Sequence, residues 1–430
     1  MITVGILKEH DVHTSLAIED AGKLEREDGG WRSGLPVLCG DGLCLREPEP
    51  ADADSLAGLL SPRTVWPFKN KMPASPAGWV RLIDRLRGDR AAGLGAAYAV
   101  VDDRTSELAG LILLRRLELS FRTGECQFLF GEAAWESEVP FTSLGFALDF
   151  AFRDIEVHRL EVRALTGHEN VVLRGLGLVQ EGLLRDAYPL WGGLVSQTIW
   201  AMLRAEWLSK QLPAPHRMVA CAGPDAPSPR AAEPDDDEPP PAWTKAVPVL
   251  AGSRVMLREM QAEDGESLLR VLEPQDIEAC IEPAPATANM FGRYIAWARR
   301  QRESGLVVSF AITVDGGSEP VGMMQIRSRG SGFTIGEWGI VLARGCQGTG
   351  VVDEMMRLAF GFMTRTLGIR RLEARVPHSN LLVVGVLRRH GFVREARLRG
   401  SFVTGEECRD DELWVFRAGD RRQATGDRYE

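Results

Sequence analysis

Three glycines, Gly345, Gly348 and Gly350, separate the short apolar run Ile340, Val341 and Leu342 from a segment in which Val352, Met355, Met356, Ala359 and Met363 recur at helical spacing. A glycine-rich turn that opens a helix presents free backbone N–H groups where the helix dipole also favours negative charge. The turn formed by Gln347, Gly348, Thr349, Gly350 and Val351 therefore reads as a cradle for a phosphate-bearing ligand. It is not a P-loop, because no Gly-Lys-Ser/Thr ending follows, and Asp353 stands where a dinucleotide fingerprint has its third glycine. One carboxylate, Glu337, lies just ahead of the apolar strand between Gly336 and Trp338, and Asn380 opens the segment SNLLVVGVLRRHGF.

A strand, a turn and a helix must hold these residues, and the chain supplies that set twice. From Leu35 it reads LPVLCGDGLCLREPEPADADSL and from Val247 it reads VPVLAGSRVMLREMQAEDGESL. Pro36 falls on Pro248, Arg46 on Arg258, Asp52 on Asp264 and Leu56 on Leu268, each pair 212 positions apart. The register persists through Glu125 and Glu337 and through Arg159-Leu160-Glu161 against Arg371-Leu372-Glu373. It then slips by two residues, so that Gly177 meets Gly391 and Trp200 meets Trp414. A match of this length marks two copies of one domain, since a solenoid repeats every 20 to 50 residues or so.

The copies span 35–207 and 247–418. Residues 208–246, with PDAPSP and EPDDDEPPP, read as a semi-extended acidic linker carrying too little apolar surface to fold. Residues 1–34 read as an N-terminal extension and 419–430 as a charged tail. Each copy shows a strand ending in Leu-Arg-Glu, an aspartate-rich helix start and a second helix (Trp79 to Arg87; Phe291 to Arg302). Three strands, a central helix, another strand, a further helix and closing strands follow. That order predicts an α+β or layered α/β fold, a mixed and mostly antiparallel sheet covered by helices.

Composition narrows the function classes. A chain of 430 residues with 44% hydrophobic and 26% charged residues is expected to be soluble and to form two or three domains. No run is long enough to span a membrane, and Met1 to Leu7 is followed at once by Lys8 and Glu9, so a cytoplasmic protein is expected. A net charge of −9 argues against general nucleic-acid binding. Seven cysteines without a Cys-x-x-Cys pair point to no metal site and are read as reduced.

The loop Gln347-Gly348-Thr349-Gly350-Val351 and its helix resemble the diphosphate-binding motif of the GNAT superfamily of acetyl-CoA-dependent N-acyltransferases, in particular the RimJ/RimL branch. SNLLVVGVLRRHGF resembles the family pattern Asn-x-x-Ser-x-x-x-Leu-x-x-x-Gly-Phe through Asn380, Leu387, Gly391 and Phe392. The element order of both copies is also that of the GNAT fold. The resemblance implies acetyl-CoA as acyl donor, with its diphosphate on Gln347 to Val351, its pantetheine arm paired along Ile340, Val341 and Leu342 as an added strand, and Asn380 in the cofactor wall. It implies that this strand splays from its neighbour and offers an N–H to the thioester oxygen. Glu337 is then the general base, usually acting through water, for an amine acceptor such as a protein N-terminus or a small molecule.

Two departures stand out. Gly345 replaces the arginine or glutamine common in the superfamily, and Val383 occupies the serine position in a helix without tyrosine, so the usual acids for the leaving thiolate are missing. His378 and His390 are nearby candidates, with structural roles as the alternative. Arg388 and Arg389 are candidates for an outer phosphate or a solvated helix face. A non-catalytic acyl-CoA sensor or scaffold is the competing reading.

The first copy carries Glu136, Ser137 and Glu138 opposite Gly348, Thr349 and Gly350. A carboxylate about 4 Å from a phosphate costs roughly 4 kcal/mol at an effective dielectric of 20, before solvent screening. This copy is expected to have lost the cofactor and to serve a structural or acceptor-shaping role. Packing between the copies, or a homodimer, is compatible with the sequence.

Overall fold

The computed structural model describes residues 3–4, 30–59, 73, 75–117, 122–165, 167–190, 193–210, 216–218, 241–278, 285–330, 332–346, 348–404 and 407–418. The chain forms two compact units, one of Ala21–Leu183 with Ser196–Pro234, the other of Met1–Asp20, Leu184–Val195 and Asp235–Glu430. A two-residue strand, β1 (Thr3–Val4), belongs to the latter.

The unit of the first copy contains β2 (Val37–Gly40), β3 (Leu43–Arg46), α1 (Ala53–Gly58), α2 (Pro76–Ala91), β4 (Gly95–Asp102), β5 (Leu108–Arg116), β6 (Thr123–Phe130), α3 (Val139–Arg153), β7 (Arg159–Ala164) and α4 (His168–Gly175). In chain order β8 (Val179–Leu190), β9 (Gly193–Leu203) and β10 (His216–Met218) follow, the stretch Leu184–Val195 of β8 and β9 being counted with the other unit. Strands β2 to β6 pair in sequence and antiparallel, β6 and β7 pair parallel, and β7 pairs antiparallel with β9. The interior strands are buried on both faces, which is why Gly95–Asp102 (GAAYAVVD) reads as a continuous apolar run. One face packs on α3 and α4 around Phe150 and Trp200, the other on α1 and α2 around Leu56 and Trp79.

The second copy repeats this plan with β11 (Leu250–Ala251), β12 (Val255–Glu259), α5 (Asp264–Val271), α6 (Ala288–Glu303), β13 (Val307–Val314), β14 (Gly322–Gly330), β15 (Gly332–Leu342), α7 (Val351–Arg365), β16 (Arg371–Pro377), α8 (Leu381–Arg389), β17 (Val393–Thr404) and β18 (Glu407–Arg417). Here β11 to β15 pair in sequence and antiparallel, β15 and β16 pair parallel, and β18 pairs antiparallel with both β16 and β17. The α+β expectation holds. Val352, Met355, Met356, Ala359 and Met363, spaced for one helical face, are all buried under α7.

The duplicated register also places the same polar joints. Arg46 grips Asp52 bidentately at 2.7 and 2.8 Å, and Arg258 grips Asp264 at the same distances. Arg90 meets Glu47 at 2.6 Å and Arg302 meets Glu259 at 2.7 Å. Ser75 caps α2 by accepting from the Gly78 N–H, and Thr287 caps α6 by accepting from Met290, both at 3.2 Å.

Two expectations need correction. Cys39 and Cys44, facing each other across β2 and β3, form a disulfide, so the cysteines are not all reduced; Cys126, Cys346 and Cys408 are free. Adjacent strands bring these two residues together, a proximity that five positions of sequence separation do not announce. Within the stretch read as linker, His216–Met218 pair with β2, and Ala242–Lys245 form a helical turn because Trp243 joins the apolar core. The acidic run itself and the C-terminal tail lie outside the described residues.

Candidate active site

Strand β15 is flanked by β14 and β16, and of these only β14 accompanies it to its end. On the β14 side the pairing runs to Leu342, opposite Gly322. On the other side β16 runs parallel to it only from Ile335 and Arg371 to Glu337 and Glu373. Beyond that point β16 stays with β18 as far as Pro377 and Asp411. The strands part at Trp338 and leave a wedge beside Ile340, Val341 and Leu342. Where they still touch, the approach is close: a Cβ on Gly336 would come within 2.8 Å of Ile369 Cδ1. Inside the wedge Thr3 pairs antiparallel with Val341 and Val4 with Ile340.

At the end of β15 the chain turns into α7. Gly348 (φ +71°) and Gly350 (φ +84°) both adopt the left-handed conformation, and a Cβ on either would meet nothing within 4 Å. The glycines are thus required by backbone conformation, and the space in front of them is open. Gly350 is the N-cap of α7 and has no side chain to satisfy the helix N–H groups. The turn is braced from behind. Thr349 Oγ1 donates to the Cys346 carbonyl at 2.7 Å, and Arg254 donates to the Thr349 carbonyl at 3.2 Å while paired with Asp315 at 2.9 and 3.1 Å. Glu354 accepts from Ser253 Oγ at 2.9 Å, the Arg254 N–H at 3.1 Å and the Ser253 N–H. Desolvation opposes the charge of Glu354, but these donors outweigh it and hold the carboxyl below the usual carboxylate range. Gln347 lies outside the described residues. An open, uncapped and rigidly backed turn fits a diphosphate.

Glu337 is not at a strand start, as expected, but inside β15, which begins at Gly332 because the β14 hairpin turns at Gly330 and Gly332. Alternation puts Glu337 on the same face as Val341, which packs with Phe291 and Tyr294 of α6. Its carboxylate is 5% exposed as a residue and sits between two guanidinium groups, Arg329 at 3.2 Å and Arg375 at 3.5 Å. Next to it Arg371 joins Glu373 at 2.9 Å and Glu395 at 2.8 Å, fully buried. The sequence reading missed both partners of Glu337. Their signal was charge at every second position, Arg327 and Arg329 on β14 and Arg371, Glu373 and Arg375 on β16, which is a strand with one charged face.

The Asn380 side chain caps α8, its Oδ1 accepting from the Val383 N–H at 3.3 Å. Val383 itself is buried in the apolar core. His390 is engaged with Asp353 of α7 at 2.8 Å, and Arg389 reaches the same carboxylate at 3.5 Å. Arg388 stacks over Trp414 with its guanidinium carbon 5.3 Å from the ring centroid. These contacts join α8 to α7 and to β18. His378 is exposed.

The first copy departs at the same places. Ser137 (φ −132°) is extended and Glu138 (φ −77°) is in the right-handed helical region, so the left-handed turn is absent, and Glu138 leads directly into α3. Trp135 fills this corner against Phe128, Phe130 and His168, with ring centroids 5.4 to 6.5 Å away. The parallel pairing of β6 with β7 extends one step further, to Cys126 and Val162, before the strands separate. Asn170 turns inward and accepts from Thr198 Oγ1 at 2.7 Å and Trp200 Nε1 at 3.0 Å.

A mixed sheet whose parallel pair splays beside a glycine turn at a helix N-terminus sets a strand edge and a row of backbone N–H groups side by side. The family model of the acetyltransferase (GNAT) domain matches twice, over residues 42–176 and 254–393, together more than half of the chain. The chain belongs to the GNAT acetyltransferase family, whose acyl donor is acetyl-CoA. It is similar to the uncharacterized N-acetyltransferase p20 of Bacillus licheniformis, 22% identical over 176 residues that cover 40% of this chain and 99% of that one. Among solved structures it is similar to Mycobacterium smegmatis RimJ in complex with CoA-disulfide, 19% identical with TM-score 0.36, covering 41% of this chain and 88% of that one. The ribosomal-protein-S5-alanine acetyltransferase of Vibrio fischeri is 17% identical with TM-score 0.36, covering 40% and 98%. Among the described residues no helix is long and apolar enough to cross a membrane, and no cluster of His, Cys, Asp and Glu could hold a metal ion.

Proposed function

We propose that the second copy transfers the acetyl group of acetyl-CoA to a primary amine, a protein N-terminus or a small molecule, and that the first copy binds no cofactor. The observation that carries this reading is the conjunction, on one strand, of the wedge beside Ile340 to Leu342 and the uncapped left-handed turn at Gly348 and Gly350. The N–H groups from Gly348 to Val351, with Gln347, hold the diphosphate, and the edge of Ile340, Val341 and Leu342 pairs with the pantetheine arm. Asn380, through its cap, orders the wall of α8. The amine nitrogen attacks the thioester carbonyl, the C–N bond forms, the C–S bond breaks and the thiolate leaves into water, since Val383 offers no proton. Glu337 takes the proton that the amine loses, through water.

One observation favours a second reading, an acyl-CoA sensor without turnover: the Glu337 carboxylate is already engaged by the guanidinium groups of Arg329 and Arg375. Incubating the protein with acetyl-CoA and pooled peptides or amines separates the two, because only the enzyme releases free thiol in proportion to acceptor. The expected cytoplasmic setting belongs to this proposal too. Persistence of the Cys39–Cys44 bond in protein extracted under thiol-blocking conditions would count against it.

A further inference from the structure

A strand edge carries one outward set of N–H and C=O groups, and on β15 the inward set already belongs to β14, through Met323 opposite Val341 and Met324 opposite Ile340. Successive residues turn their N–H and C=O to opposite edges, so one of these two faces outward, and β1 pairs with that edge. We propose that β1 is an autoinhibitory plug: the chain's own N-terminal strand holds the edge of β15 that takes the pantetheine arm, and acetyl-CoA binds only when β1 leaves. This rests on the reading above that places pantetheine along Ile340 to Leu342. Three features make it a competition rather than a mere neighbourhood. The pairing is backbone to backbone, as an added strand's is, so β1 and a pantetheine arm make the same kind of contact with the same groups. The wedge exists because β16 departs after Glu373, and it is bordered by one β15 edge, the one that β1 occupies. Among the described residues the ladder comprises two residue pairs, and covalent attachment keeps β1 at high effective concentration beside the edge.

Covering an exposed edge to prevent aggregation would produce the same pairing without competition. The test therefore has two readouts on the full-length chain carrying Thr3→Pro and Val4→Pro, which removes both β1 donors. Hydrogen exchange is measured across Ile340 to Leu342 without ligand, and coenzyme A affinity is measured by calorimetry. The plug predicts faster exchange of whichever amide faces β1, and coenzyme A binding tighter by about tenfold, the factor for a competent state populated one time in ten. Unchanged exchange overturns the proposal, because β1 then does not hold the edge. Faster exchange with equal affinity in both proteins also overturns it and leaves β1 as an edge cover. Faster exchange with coenzyme A binding to neither protein locates the failure in the pantetheine site itself, and the inhibitory role falls with it.

Discussion

Glu337 carries two loads, as partner of Arg329 and Arg375 and as proposed proton acceptor. Replacement by glutamine is expected to lower kcat by about 10² or more with little change in cofactor affinity, the range for loss of a general base. It will also lower Tm, because removing one member of a buried ion cluster leaves charge uncompensated. Activity that survives at every pH would make Glu337 structural. A different carboxylate governs the first unit. Burial pushes Glu169 up to about 7, against a hydrogen bond from the Leu165 N–H that lowers it. An unfolded glutamate releases its proton near pH 4.3 or so. The fold therefore binds this proton more tightly than the unfolded chain, and the stability this contributes is full below the lower value and lost as pH rises toward 7. Glu169→Gln is expected to flatten that part of the pH–Tm profile of the first unit. An unchanged slope would mean that Glu169 ionises normally.

The element that matters most is the turn from β15 into α7. Its glycines are needed for positive φ, not for room, since a Cβ meets nothing at either site. Gly348→Glu with Gly350→Glu is expected to abolish coenzyme A binding for two reasons. Each substitution strains the left-handed backbone by about 1 to 3 kcal/mol, and each sets a carboxylate beside the diphosphate. Calorimetry that returns the wild-type affinity would put the cofactor elsewhere. Arg254 and Glu354 brace this turn: the β11–β12 turn is tied to Thr349 and to the first turn of α7 through Ser253 and Arg254.

At the scale of the whole molecule, duplication preserved the scaffold, while the left-handed glycine turn before the central helix occurs in the second copy and not in the first. The joints Arg46 with Asp52 and Arg90 with Glu47 in the first copy repeat as Arg258 with Asp264 and Arg302 with Glu259 in the second, so each copy builds its sheet and helices in the same way. The buried cluster beside the parallel pair repeats as well, Arg159 with Glu161 and Glu181 against Arg371 with Glu373 and Glu395. What differs is the anion turn. The full chain is expected to bind one coenzyme A, and none when Gly348 and Gly350 are replaced. A stoichiometry of two, or residual binding in the double variant, would assign a working site to the first copy.

The duplication, the α+β class, the glycine turn before α7 and its absence from the first copy were legible in residue order, because each depends on local spacing: helical periodicity under α7, glycines at fixed offsets, glutamates in their place. The pairs Arg46 with Asp52 and Ser75 with Gly78 are likewise local, six and three positions apart. Contacts between distant residues were decided only by the tertiary structure. Arg329 and Arg375 close on Glu337 because β14 and β16 flank β15, and β1 reaches Ile340 and Val341 from the far end of the chain. Periodicity tells which face of a strand is buried. It carries no information about which strand will lie on its free edge, since backbone N–H and C=O groups are the same at every residue but proline.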